Sequence, residues 1–392
     1  MRDFELALND LPSSINGTYS QTMDRIKRQA KDDRDLAFNA LKWVLHAHRI
    51  LSIEELRHAL AIRPEICEND IDEDFLCAIE DIVSACAGLI EVEHESKTVR
   101  LVHLTAEKYF LHTAEPWFTN AHLDIAKACI EYLCQPVMQN RKHYSSIGEL
   151  FSLFPLSKYA MNNIAFHLRS CITAENALVC LQHLNMLQVS QVALHHILQS
   201  LRSLLRRPGP DVALRPKSFK STIKVPPVHV AASFCLQEVV KIICDENTNA
   251  STEFDSYENT PIHTAACLED LASVKELLGA KGNLNAYNFV DEFGGRELRR
   301  TPLHYGIDCR DLKKSTAITK LLLDAGADPN VKFVNARGVD TSPLGFVSDN
   351  GKDCVELATL LVDHGADLSV SEGRNLRTPL SKNNSHFLVL KT

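Results

Sequence analysis

Between Val99 and Thr113 the sequence VRLVHLTAEKYFLHT gathers two histidines, two threonines, a glutamate, a lysine and a tyrosine. Imidazole, carboxylate, amine and phenol are the groups that move protons, and a threonine hydroxyl beside a base can act as a nucleophile. The local pattern assigns these side chains another task. Val99, Leu101 and His103 fall on one face of a strand, set by the period of two. Thr105 is placed to N-cap the helix that follows, with Glu107 favourably in its first turn, and Lys108 and Tyr109 continue that helix. The stretch reads as a strand-to-helix junction, with His103 a candidate contact between domains.

Other chemistry finds little support. His46 with His48, or His195 with His196, could suggest a metal, but such spacings point to different helix faces and no cysteine or acid sits at a zinc spacing. None of the twelve cysteines forms C-x-x-C. Most have apolar neighbours, as in ALVCLQHL, which reads as buried reduced thiols. No phosphate-cradling G-x-x-x-x-G-K-[ST] and no nucleophile elbow G-x-S-x-G occurs; GAKGN is a helix end. The expectation is no catalytic residue, no cofactor and no metal.

The bulk numbers fit a chain built from several folded parts. Its 392 residues are 45% hydrophobic and 23% charged, with a formal net charge of −8, which disfavours general attraction to nucleic acid or anionic membrane. No apolar run of about 18 residues suggests a membrane span. The N-terminus MRDFELALNDLPSS lacks the basic start and apolar block of a secretory signal. A cytoplasmic location, or a nuclear one, follows as the expectation.

The C-terminal half repeats itself. PPVHVAA from Pro226, TPIHTAA from Thr260, TPLHYGI from Thr301 and SPLGFVS from Ser342 align, and TPLSKNN from Thr378 opens a fifth copy. A second phrase also recurs, in VKELLGAKGNLN, TKLLLDAGADPN and ATLLVDHGADLS. The period lies near the ~33 residues of an ankyrin repeat with two insertions, and residues 225–392 resemble that family. Thr260 and Thr301 suit N-caps, and Pro261 and Pro302 suit the first helical turn, where a missing N–H costs little. Gly282, Gly326 and Gly365 are expected to end helices in the left-handed conformation. By resemblance, His263 and His304 hydrogen-bond between neighbouring units. The insertions AYNFVDEFGGRELRR and VKFVNARGVDT fall where the family projects hairpin fingers. Their aromatic and cationic residues make Phe289, Arg296, Arg299, Arg300, Phe333 and Arg337 the candidate partner contacts.

In the N-terminal half, Leu36, Ala40, Leu41, Val44, Leu45 and His48 recur at helical spacing. Ser52 and Glu55 form a capping box that opens a second helix. A third helix is expected over about Asp72 to Ala87, and LIEVE and VRLVH pair as a hairpin across the turn HESKT. Three helices and a hairpin make a winged helix. Winged helices often bind DNA, yet residues 36–113 carry 14 Asp/Glu against 7 Lys/Arg, the wrong sign for replacing phosphate counterions. The basic stretch Leu201–Lys224, with three prolines, reads as a linker.

ALNDLPSSINGTYSQTMDRI, ALKWVLHAHRILSIEELRHALAI and VRLVHLTAEKYFL are similar to the segment after the NACHT ATPase in fungal NACHT–ankyrin (NLR-like) proteins. That segment is the winged-helix module also named after GPI inositol-deacylase; FPLSKYAMNNIAFHLRS resembles the linker that follows it. The resemblance implies that repeats sense a partner protein, the winged helix couples, and a NACHT module hydrolyses nucleotide. Without a phosphate loop in this sequence, the NACHT module is expected to lie elsewhere, in a partner or in a longer product. The expected organisation is mainly α: a helical segment over 1–32, a winged helix over 33–115, a helical connector and basic linker over 116–224, and four to five ankyrin repeats over 225–392. The expected activity is binding rather than catalysis.

Overall fold

The structure is a computed structural model, and it describes residues 15–62, 76–112, 117–139, 146–188, 190, 194, 225–256, 258–288, 290–292, 296–334, 340–349 and 355–369. The chain divides into two compact units, residues 1–171 and 172–392.

The first unit opens with α1 (Ile15–Lys27) and α2 (Lys31–His46), followed by β1 (Leu51–Ser52) and α3 (Ile53–Ala61). Then come α4 (Ile79–Ala85), the hairpin β2 (Ile90–Glu93) and β3 (Thr98–Leu101), and α5 (Leu104–His112). The sheet runs β1-β3-β2, antiparallel throughout, with Leu51 and Val92 both opposite Val99. Leu51, Ile90 and Val99 are buried there against Ala37, Ala40 and Leu41 of α2 and Ile82 of α4. The two-residue strand β1 gives the hairpin a third partner that the sequence pattern does not reveal.

Three local expectations are corrected. α2 ends at His46, and Ala47 turns extended, so His48 lies outside the helix; the chain must straighten to bring Leu51 onto β3. Leu76 to Ala78 are not helical, and the third helix spans only Ile79–Ala85; residues 63–75, including Asp72, Glu73 and Asp74, lie outside the described residues. Thr105 does not cap α5. His103 does, its Nδ1 accepting from the Thr105 N–H at 3.1 Å, while the Thr105 hydroxyl meets that of Tyr19 at 2.6 Å and ties α5 to α1. The Ser52–Glu55 capping box forms in full.

The described part of 116–224 falls on both sides of the division. α6 (Ala121–Leu133), α7 (Pro136–Gln139), α8 (Ile147–Leu153) and α9 (Pro155–Cys171) belong to the first unit, where α9 lies along α6 and also touches α3. α10 (Ala177–Leu187) belongs to the second unit and packs its buried Cys180, Leu181 and Leu184 onto the first helix pair of the array. The basic stretch Leu201–Lys224, like the fifth repeat phrase from Thr378, lies outside the described residues.

Among the described residues of the second unit, four helix pairs follow: α11 (Pro227–Ser233) with α12 (Gln237–Glu246), α13 (Pro261–Cys267) with α14 (Leu271–Gly279), α15 (Pro302–Ile307) with α16 (Leu312–Asp324), and α17 (Pro343–Asp349) with α18 (Val355–Asp363). First helices stack on first helices and second on second, so apolar faces such as Val239 and Val240, Val274 and Leu277, and Ile318 and Leu322 are buried between neighbours. The hairpins β4 (Val290–Glu292) with β5 (Arg296–Leu298), and β6 (Phe333–Val334) with β7 (Asp340–Thr341), leave the stack between pairs.

Gly326 and Gly365 end their helices at φ 97° and 90°. Gly282 does not: Lys281 takes the left-handed position at φ 58°, and Gly282 stands where Ala327 and Ala366 stand in the following pairs, its N–H donating to the Leu277 carbonyl at 3.0 Å. The phrase is shifted by one residue, and a lysine holds a conformation that disfavours a Cβ. Lys281→Gly is therefore expected to stabilise the repeats by about 1 kcal/mol, whereas Gly326→Ala should destabilise them. Equilibrium urea unfolding checks both, and a Lys281→Gly midpoint at or below that of the parent chain contradicts the assignment.

Candidate functional site

The second and third helix pairs are each pinned by a buried histidine with both ring nitrogens committed. In α13 the Thr260 N–H donates to His263 Nδ1 at 3.1 Å. That fixes the proton on Nε2, which donates to the Arg300 carbonyl at 3.1 Å, thirty-seven residues away. His304 repeats the arrangement, accepting from the Thr301 N–H at 3.0 Å and reaching the Val331 carbonyl at 3.0 Å. His229 meets the Glu253 carbonyl at 3.0 Å. Thr260 and Thr301 close capping boxes with these histidines, with Pro261 and Pro302 in the first helical turn. The fourth pair has Gly345 at the histidine position, and its N–H donates to the Ser342 hydroxyl oxygen at 3.1 Å. Burial lowers the His263 imidazole to about 4 and that of His304 to about 3, so both are neutral in the fold.

A second ladder lies beneath the fingers. Asn259 donates to both oxygens of Asp255 at 3.1 and 2.8 Å, and Asn288 donates to Asn259 at 2.8 Å and to the Tyr305 hydroxyl at 2.7 Å. Arg300 and Asn288 close the base of the first insertion: each backbone N–H donates to the other residue, to a carbonyl or an amide oxygen, at 3.0 Å. A third set joins the helix ends, with Asn285 accepting from the Asp328 N–H at 3.0 Å and Asn330 from the Asp367 N–H at 2.8 Å.

These ties fix the chain beside one exposed residue after each of the first three helix pairs. The histidines grip the carbonyls of Glu253, Ala286 with Arg300, and Val331. The residues immediately after the first carbonyl of each set are Phe254, Tyr287 and Lys332. Phe254 and Tyr287 are 45% and 41% exposed, high for aromatic rings, and Lys332 is exposed. The Tyr287 hydroxyl donates to the Lys332 carbonyl at 3.2 Å. Burial and Asp328 raise the Tyr287 phenol, and the charge of Arg299 opposes them. Sequence reading missed Phe254 and Tyr287; the signal was their similar distance from the repeat histidines, 25 residues after His229 and 24 after His263.

The sequence-derived contacts are placed unequally. Arg299 is exposed. Arg300 is turned into the stack, 3.2 Å from Asp308 and over the Tyr305 ring. Arg296 and Phe333 lie on finger strands β5 and β6. Phe289 and Arg337 lie outside the described residues.

Residues 23–118 match the family described as GPI inositol-deacylase, winged helix domain, and residues 228–333 match that described as ankyrin repeats, in three copies. The chain carries a winged helix of that type followed by ankyrin repeats. No curated protein matches it. The fourth pair, α17 with α18, extends the ankyrin array beyond the matched residues.

Among the described residues, no group of three or more His, Cys, Asp or Glu is arranged to hold a metal, and no helix is long and apolar enough to cross a membrane. Burial pushes the thiols of Cys86 and Cys309 up to about 12, away from thiolate chemistry. His195 and His196 lie outside the described residues.

The repeat histidines set a pH dependence. Unfolded imidazoles protonate near 6.5, well above the folded values of about 4 and about 3. The unfolded chain therefore binds more protons in between. Stability from this source is complete above pH 6.5 and falls as the pH drops towards 4. His263→Ala strips the Thr260 N–H of its acceptor and should cost about 1–3 kcal/mol while flattening the pH dependence. Urea unfolding at pH 7.5 and 5.0 measures both effects; an unchanged slope between those pH values would rule out the neutral-histidine account.

Proposed function

We propose that this chain is a non-catalytic adaptor. Its ankyrin repeats hold a partner protein, and the winged helix docks on or transmits to another component in NLR-like signalling, with a NACHT-containing protein as that component. Ankyrin repeats point to protein–protein interaction, and the observation that carries the reading is the exposure of Phe254, Tyr287 and Arg299. Aromatic and arginine side chains are favoured where a partner excludes water. The wing supports a protein rather than a nucleic-acid target for the front unit. Its Arg100 is paired with Glu91 at 2.9 Å and with Glu93 at 3.0 Å, so the cation that would meet a phosphate is answered by two carboxylates.

The expected contacts are Phe254, Tyr287 and Arg299, with Phe289, Arg296, Phe333 and Arg337 on the fingers. Arg300 serves the fold, so its replacement should lower the melting temperature. Replacing Phe254, Tyr287 and Arg299 together by Ala is expected to reduce partner capture from extracts of the source cells at least tenfold, with the melting temperature within 2 °C (about 0.5 kcal/mol for a domain this size). Retention of every captured protein by the folded variant would overturn these contacts. An immunoblot against the repeats separates two forms of the reading. A product far above 43.8 kDa would put a NACHT NTPase on the same polypeptide, whereas a product of that size would put it on a partner.

A further inference from the structure

Helix α5 carries an apolar stripe that no described residue covers. Leu104 and Leu111 are 62% and 58% exposed, and Val102, just before the helix, is 43% exposed. A single exposed leucine is ordinary on a protein surface. These two stand on one side of the same helix, two turns and about 10 Å apart. Lys108 lies between them and is exposed, and its ammonium has no ion pair among the described residues. The inner side of α5 is spent on the core through Ala106 and Phe110.

Helix α1 takes the side next to the stripe. The Tyr19 and Thr105 hydroxyls meet at 2.6 Å, those of Ser20 and Tyr109 meet at 3.0 Å, and the Tyr19 and Tyr109 rings are 5.4 Å apart. Thr105 and Tyr109 stand about a third of a turn round the helix from Leu104, Lys108 and Leu111. α1 therefore lies beside the stripe and leaves it open.

Residues 1–14, which lead into α1, lie outside the described residues, and their sequence complements the open side. In DFELALNDL, Phe4, Leu8 and Leu11 recur at i, i+4 and i+7, the spacing of Leu104, Lys108 and Leu111. Asp3 suits an N-cap, Glu5 to Leu8 are strong helix formers, and Pro12 stops a helix. On such a helix Ala7 widens the apolar side, and Leu6 falls on the opposite one. Asp3 and Asp10, seven residues apart, border the apolar side and offer carboxylates to Lys108. The reach is sufficient. The four residues from Leu11 to Ile15 span up to ~13 Å, more than the ~10 Å width of a helix. One turn after Ile15, Tyr19 is already bonded to α5, so the segment is presented to the stripe at an effective concentration of about millimolar.

We propose that residues 3–11 fold back as a short amphipathic helix beside α1 and lay Phe4, Leu8 and Leu11 on the Leu104–Leu111 stripe of α5. While the segment is seated, the stripe is closed to any other helix.

The test uses the full chain. Its two tryptophans, Trp43 and Trp117, both lie in the first unit. Their emission therefore follows urea unfolding of that unit without contribution from the repeats. Three variants complete a cycle with the parent: Phe4→Ser, Leu8→Ser, Leu11→Ser; then Leu104→Ser, Leu111→Ser; then all five together. Leu104 and Leu111 are exposed, so their replacement leaves the core intact. Each partial variant is expected to lower the midpoint by about 0.3 M or more. The five-fold variant should fall no further than the lower of the two, because one contact can be lost only once. Leu6→Ser should leave the midpoint within about 0.1 M of the parent. Additive losses, no loss from either partial variant, or an equal loss from Leu6→Ser would overturn the proposal. So would a parent midpoint that falls on tenfold dilution, which would assign the stripe to the segment of a second copy.

Discussion

A helix pair of some thirty residues cannot bury its own apolar face, so the contact that seats one pair on the next governs the whole array. Here that contact is a buried imidazole. Its Nδ1 is used within the helix start and its Nε2 reaches a carbonyl that leads to the following unit, at His263 and again at His304. A ring that must present one acceptor and one donor in fixed directions has one tautomer and no charge. It sets the angle of the helix start and the position of the finger base together. The exposure of Phe254, Tyr287 and Lys332 is tied to this, because each follows a carbonyl that a histidine holds.

The same constraint explains why the array tolerates long insertions. Lengthening a surface loop costs little once its ends are fixed, since closure entropy grows only slowly with length. Around the first insertion the ends are fixed by the reciprocal bonds of Asn288 and Arg300, and Arg300 is held from below by His263 and from the side by Asp308. The insertion can vary between β4 and β5 without disturbing the stack. The finger residues can thus change while the ladder beneath them stays the same. The first unit has no such modularity. Tyr159 bonds at once to the loop after α2 and to His167, while α9 packs on both α6 and α3, so a change at one ring is felt by several elements.

Much of this architecture is written in local sequence. Threonine, proline and histidine at fixed offsets specify a helix start because each answers a backbone need within four residues. The Ser52–Glu55 box is legible for the same reason. What the sequence hid depends on distance. β1 is two residues long and exists only because Val99 offers an edge. The left-handed Lys281 is invisible because the nearby Gly282 looks like the residue for that position. His46 and His48 look dispersed because their spacing puts them on different faces of a continuous helix. The helix stops at His46, and rings from residues 122 and 167 complete the cluster. Arg300 looks like a finger contact until Asp308, eight residues on, turns out to sit beside it. In each case the missing information was a partner outside the span over which local periodicity acts. A charged or polar residue in a repeat insertion therefore carries two possible meanings, surface contact or anchor of the base, and the decision rests on whether a buried acceptor from the neighbouring helix pair lies within reach.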